Sequence, residues 1–185
     1  MMRMSAVECG CRSIEHGSFG DEEAYRLMAE RGAWLVPTVC VMPAMFRDPE
    51  FAARAPGHIR DRYAGLHTIR MENMKLARRC GVPVAMGTDA GTPGNHCGDN
   101  MQEPVLMVEE AGFSPAEAIR SATLGAATMM RLDRDLGTLA EGKVADIIAT
   151  RGNPLEDIRA LEAVGFVMKA GRMFKRDGVP VAFAG

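Results

Sequence analysis

Val82-Pro83-Val84-Ala85-Met86-Gly87 runs without interruption into Thr88-Asp89-Ala90-Gly91. A short apolar run closed by glycine and then a carboxylate predicts a strand buried on both faces, with Asp89 at its carboxyl end. The same texture recurs upstream. Ala33-Trp-Leu-Val-Pro-Thr-Val-Cys-Val41 reads as a second buried strand, with Pro37 marking an end or a bulge. Cys11-Arg-Ser-Ile-Glu-His16 reads as a third, leading into the turn Gly17-Ser-Phe-Gly20.

Helical patterns fill the intervals. Asp21 suits an N-cap, Glu22 and Glu23 a first turn, and Ala24, Leu27 and Met28 an apolar stripe that Gly32 stops. From Gly57 to Cys80 the spacing of Ile59, Tyr63, Leu66 and Ile69 predicts a long helix, ended by Arg78, Arg79 and Gly81. Between them, Met42 to Pro56 carries Pro43, Pro49 and Pro56 and is expected to be an irregular loop. Strand, helix, strand, helix, strand is a parallel α/β order with right-handed crossovers. Chemistry in such folds sits at the carboxyl ends of strands, where His16 and Asp89 fall.

Downstream, the glycine-rich loop Gly91-Thr-Pro-Gly-Asn-His-Cys-Gly98 precedes a helix expected from about Met101 to Ala111, with Pro104 tolerated in its first turn. Ser114-Pro115-Ala116-Glu117 is a capping box with proline at N1, and a short helix from Leu124 to Met130 should follow. Beyond Arg131 the texture changes to short strands: Val144 to Thr150, Gly165 to Lys169, Arg172 to Lys175 and Val179 to Phe183. Lys169-Ala170-Gly171-Arg172 is a tight hairpin within them.

Composition narrows the function classes. The 185 residues carry 22 Lys+Arg against 24 Asp+Glu, a net charge of −2, with 47% hydrophobic and 25% charged residues, which is ordinary globular usage. Without a basic block, nucleic acid is not expected as a partner. No apolar run approaches the ~20 residues of a membrane span, and Arg3 and Glu8 break the opening stretch, so neither membrane nor secretion is expected and the reading is cytoplasmic. Five cysteines at irregular spacings suggest reduced thiols rather than a disulfide framework, and the fifteen methionines read as core filling.

A histidine and a carboxylate at separate strand ends suit a divalent metal that acidifies water, because imidazole and carboxylate both bind Zn²⁺. A carboxylate beside that water can also take its proton. On pattern alone the plain alternative stands: His16 as a core histidine bonded to a carbonyl, and Asp89 as a cap. No nucleophile elbow, phosphate loop or His-Glu-x-x-His helix is present. His58 and His67 are expected to be partly solvated helix residues, while His96 lies in a loop expected to overhang the mouth that Asp89 faces and is either a substrate contact or a residue without a role.

Ser13-Ile14-Glu15-His16-Gly17, Gly87-Thr88-Asp89-Ala90-Gly91, Ala122-Thr123-Leu-Gly-Ala-Ala and Leu136-Gly-Thr-Leu-Ala-Glu-Gly-Lys143-Val-Ala-Asp146 together resemble the amidohydrolase superfamily. Within it they look like the imidazolonepropionase-like and Xaa-Pro dipeptidase-like branch, a likeness that Gly152-Asn-Pro-Leu-Glu-Asp-Ile158 strengthens and that runs from about Ala6 to about Gly178. The resemblance implies a distorted (β/α)₈ barrel with one or two divalent metals, usually zinc, and a small β-sandwich. It matches His16 to the metal-binding histidine ending strand six. It matches Asp89 to the strand-eight aspartate that touches metal and acts as general base in amide hydrolysis.

The sequence also departs from that pattern. It has no His-x-His pair, and the lysine and histidine expected on strands four and five have no counterparts. Residues 1–131 are expected to be a partial barrel, strands six to eight with their following helices, short of the ~250 residues of a complete one. Residues 132–185 are expected to be part of the β-sandwich. The expected substrate is a small amide: an Xaa-Pro or N-acyl amino-acid dipeptide first, a cyclic amide second. A zinc site with only His16 and Asp89 is incomplete, so the chain alone is expected to bind catalytic metal poorly. A separate amino-terminal half or a second copy would be its partner, and the alternative is a truncated, inactive fragment acting at most by association.

Overall fold

The computed structural model describes residues 2–182. Helix α1, Met2–Glu8, precedes the first strand and ends where Gly10, at φ 88°, donates its N–H to the Val7 carbonyl and Cys11 N–H reaches the Ala6 carbonyl, both at 3.0 Å. Strand β1, Ser13–Glu15, pairs in parallel with β2, Trp34–Val36, with Ile14 opposite Leu35. The Val82–Gly87 segment joins on the far side of β2. Its only ladder position is the Leu35–Val84 bridge, framed by Leu35 N–H to the Pro83 carbonyl at 2.9 Å and Ala85 N–H to the Leu35 carbonyl at 3.0 Å. Pro83 has no N–H to give, so this strand is shorter than its apolar run. Its outer side is partly engaged, since Met86 N–H donates to the Ser121 carbonyl at 3.0 Å.

Between β1 and β2 runs α2, Glu22–Arg31, started and stopped as the sequence predicts. Asp21 accepts the Ala24 N–H, and Gly32 closes the helix in left-handed backbone at φ 63°. Tyr25 and Met28 on its inner face pack with Ala33, Leu35, Ala77 and Val82 into one core cluster.

The expected loop between Met42 and Pro56 is instead two short helices, α3 (Val41–Arg47) and α4 (Pro49–Arg54). Pro43 and Pro49 lie in first turns and Pro56 caps the next helix, positions where a missing N–H costs no hydrogen bond. Asp48 caps α4 by accepting the N–H groups of Glu50 and Phe51 at 2.8 and 2.9 Å. Phe46 and Phe51 then pack edge-to-face against Tyr63 of the following helix, which holds both helices in place.

That following helix is α5, Gly57–Arg79, whose buried stripe is Arg70, Met71, Met74 and Ala77. Helix α6, Gln102–Glu109, and α7, Pro115–Arg120, follow, and Ser114 and Glu117 form the expected reciprocal cap. A π-helical turn, Ser121–Gly125, and α8, Ala126–Met129, replace the single helix expected near Leu124 to Met130.

A four-stranded antiparallel sheet ends the chain, in the order β3 (Ile147–Thr150), β4 (Val164–Lys169), β5 (Arg172–Arg176), β6 (Val179–Pro180). The expected strand through Phe183 runs past the described residues. Ala170 and Gly171 both have positive φ, 48° and 76°, as a two-residue hairpin of matched twist requires. A 3₁₀ helix, Ile158–Ala163, sends Ile158 and Leu161 into the core beside Met71, Met74, Val105 and Met107. Among the described residues no helix is long and apolar enough to cross a membrane.

Candidate active site

His16, Thr38 and Asp89 follow the three neighbouring parallel segments, and each holds positive φ: 66°, 49° and 52°. His16 leaves β1 with its N–H on the Val36 carbonyl at 2.8 Å, and its half-buried ring places Nδ1 2.6 Å from Thr38 Oγ1. Just beyond, the buried Tyr25 hydroxyl donates to the Gly17 carbonyl at 2.8 Å and fixes the loop from below.

Thr38 is 3% exposed, and its carbonyl accepts from Arg70 Nη1 at 3.2 Å. Arg70 Nε also donates to Ser18 Oγ at 2.9 Å, so one guanidinium from α5 ties the loop after β1 to the turn after β2. Burial pulls Arg70 below its ordinary pKa, while the charges of Glu103 and Asp89 pull it back up. Glu103, completely buried in the first turn of α6, accepts Val39 N–H at 3.0 Å and Cys40 N–H at 2.8 Å through its two oxygens. Burial pushes its carboxyl up to about 7, against the opposing effects of those donors and of Arg70.

Asp89 is exposed at the end of its segment. Its backbone is held by the buried Asn95, whose Nδ2 donates to the Thr88 and Asp89 carbonyls at 2.8 and 3.0 Å. His96 is exposed, and its carbonyl accepts Asp99 N–H at 3.0 Å. His58 is exposed, whereas His67 is half-buried with Nε2 2.8 Å from Glu110. No hydrogen bond among the described residues joins His16 to Asp89; His16 bonds Thr38, whose carbonyl accepts from Arg70, and Arg70 feels the charge of Asp89.

Thr38, Arg70, Glu103 and Asn95 escape a reading of the sequence. Thr38 after Pro37 looks like an ordinary strand residue, and Glu103 like a helix-dipole partner. Arg70 gave the one usable signal, since it shares its helical stripe with Met74 and Ala77. Zinc needs three protein donors beside its water. Among the described residues no three His, Cys, Asp or Glu side chains gather as such a cage, so these residues alone do not make the site.

Parallel pairing of β1 with β2 and of β2 with the Val82–Gly87 segment, with helices between them, defines a mixed α/β protein. The chain belongs to the amidohydrolase family, whose sequence profile matches residues 5–174. It is 37% identical over 183 residues to ochratoxinase of Aspergillus niger, covering 95% of this chain and 36% of that protein. It is also similar to the imidazolonepropionase of Pyrobaculum arsenaticum, 39% identical over 84 residues, 45% of this chain and 20% of that protein. The crystal structure of a Xaa-Pro dipeptidase with bound methionine in the active site superposes with a TM-score of 0.81 at 38% identity, over 93% of this chain and 42% of that one. The chain thus spans less than half the length of the ochratoxinase and of the Xaa-Pro dipeptidase.

Proposed function

We propose that this chain supplies part of the active site of a metal-dependent amidohydrolase that cleaves a C–N amide bond. In this reading residues 1–131 form strands six to eight of a (β/α)₈ barrel with their helices, and residues 132–185 form part of a small β-sandwich. His16 and Asp89 are two donors to a divalent metal, zinc by resemblance, whose other donors lie outside this chain. When bound, that metal supplies Lewis acidity and lowers the pKa of water to ~7.

Asp89 carries the proton transfers. Its carboxylate takes a proton from the attacking water as the water oxygen bonds to the amide carbon. It returns that proton to the amine nitrogen as the C–N bond breaks. The exposure of Asp89 leaves its carboxylate open to both partners. His96, in the loop that follows, is proposed to contact substrate. The similarity to a Xaa-Pro dipeptidase supports an Xaa-Pro dipeptide as substrate; an N-acyl amino-acid dipeptide stands beside it in this reading, and a cyclic amide comes second.

The observation that carries the reading is the left-handed backbone at three adjacent segment ends, since such strain clusters at functional sites. A second reading, an inactive chain acting only by association, is favoured by the missing third donor among the described residues. A fusion separates the two. This chain would replace the matching carboxyl-terminal segment of the Xaa-Pro dipeptidase it resembles, assayed on Xaa-Pro dipeptides with zinc. Hydrolysis that falls at least about 10²-fold in Asp89→Asn supports the hydrolase reading. No hydrolysis by a folded fusion, or hydrolysis indifferent to Asp89→Asn, overturns it.

A further inference from the structure

Of the three left-handed residues, Thr38 is the anomaly. Histidine and aspartate are enriched in that region, but a β-branched residue is an outlier that its surroundings must impose. Here they do so from two helices. Glu103 of α6 accepts the next two N–H groups, from Val39 and Cys40, and Arg70 of α5 donates to Thr38's own carbonyl. If the turn from β2 into α3 were the only purpose, glycine would make it without strain. Glycine would lack the hydroxyl, and the Thr38 hydroxyl is what stands 2.6 Å from His16 Nδ1.

A neutral imidazole carries one N–H, so the direction of this hydrogen bond decides which ring nitrogen keeps a lone pair. Should Thr38 donate, the ring proton sits on Nε2 and that nitrogen cannot act as a ligand. Should Thr38 accept, the proton sits on Nδ1 and Nε2 is free. Histidines that bind metal characteristically donate their other ring N–H to a fixed acceptor.

Resting on the reading of His16 as a ligand, we propose that Thr38 is a positioning residue. Its hydroxyl accepts the Nδ1–H of His16 and reserves Nε2, while Arg70 and Glu103 hold Thr38 in the strained backbone that brings the hydroxyl there. The hydrogen bonds of Arg70 and Glu103 go to the turn that carries Thr38, so both act through Thr38.

The test needs neither metal nor turnover. Long-range ¹H–¹⁵N spectra of the uniformly labelled chain, at a pH about two units above the ordinary imidazole value of ~6.5, report the tautomer of each neutral ring. The His16 signals among the four histidines are assigned by their loss in His16→Gln. Expected is the Nδ1–H form in the native chain and in Thr38→Ser, with Thr38→Val shifted to Nε2–H. An Nε2–H ring in the native chain overturns the proposal, as does an unchanged Nδ1–H ring in a folded Thr38→Val. Should Thr38→Val lose its dispersed amide spectrum, the native chain and Thr38→Ser decide: Nδ1–H in both supports the proposal, and Nε2–H in either overturns it. Because no hydrolysis is measured, a fusion indifferent to Asp89→Asn would defeat the hydrolase reading and leave this result untouched.

Discussion

Glu103 Oε2 accepts the Cys40 N–H at 2.8 Å, a contact between the first turn of α6 and the turn that follows β2. Its partner oxygen takes the Val39 N–H at 3.0 Å, so one completely buried carboxyl closes two backbone donors at the start of α3. With its carboxyl raised from 4.5 to about 7, chiefly by burial, Glu103 keeps its proton in the folded chain over a range where the unfolded chain has released it. The folded state therefore binds more protons between those values. The contribution of Glu103 to stability is full below about 4.5 and falls as pH rises to about 7, by on the order of 3 kcal/mol. Urea unfolding of the native chain and of Glu103→Gln checks this. The difference between them should move against the native chain by that amount from acid to mildly alkaline pH, and parallel curves would refute it.

Asn95 leads to a second expectation. Its amide donates to the Thr88 and Asp89 carbonyls, 2.8 and 3.0 Å away, from a site 2% exposed. In Asn95→Asp the donor becomes an acceptor facing two acceptors, so both carbonyls lose their partner. The cost should be about 2–3 kcal/mol. Hydrogen exchange at the Ala90 and Gly91 amides should speed up more than in the core of α5. A uniform change across the chain would mean that Asn95 supports global stability and has no special hold on the Asp89 backbone.

The elements that carry strong local signals were legible. Asp21 and Gly32 bracket α2, Ser114 and Glu117 start α7, and Ala170-Gly171 makes the hairpin, because each depends on residues within four positions of one another. The α3–α4 pair was not legible. Its prolines read as breakers, and nothing local shows that Phe46 and Phe51 pack on each other and on the distant Tyr63. The site divides in the same way. His16 and Asp89 stand out as polar residues closing apolar runs, whereas Glu103 reaches Cys40 across a sequence separation of 63 and Arg70 reaches Thr38 across 32. A carboxylate's backbone partners that far away leave no periodicity to read. His96, singled out for its place in the loop, is exposed, while its neighbour Asn95 holds the Asp89 backbone.

Gly94 tests how firmly that loop is seated. It holds φ 69°, and a Cβ there would run into the Ala44 carbonyl oxygen and lie 3.1 Å from Asp48 Cβ. Neither obstacle is the free end of a side chain, so α3 or the loop must move. Gly94→Ala should cost on the order of 3 kcal/mol, from backbone strain and overpacking together. Gly91→Ala is the control. Its φ is 113°, but nothing lies within 4 Å of the added methyl, so only the strain remains. Calorimetric melting should rank Gly94→Ala well below Gly91→Ala; equal losses would show that the approach of α3 to the loop does not matter.

Thiol labelling reads the Glu103 contact directly. Cys9, Cys11 and Cys97 are exposed, Cys80 is intermediate, and Cys40 is buried at 1% with its Sγ 3.7 Å from the Thr88 carbonyl. Burial, reinforced by the charge of Glu103, pushes the Cys40 thiol pKa up, which removes the thiolate that reacts. A disulfide reagent at neutral pH should modify the three exposed thiols quickly, Cys80 more slowly and Cys40 only as fast as the turn after β2 opens. Loss of a carboxylate oxygen from that turn lowers its opening energy, and about 1.4 kcal/mol corresponds to a tenfold rate. Glu103→Gln should therefore label Cys40 about tenfold faster while leaving the three exposed thiols unchanged. Cys40 labelling at the rate of Cys97 in the native chain would mean that the turn is open, and that nothing holds Thr38 against His16.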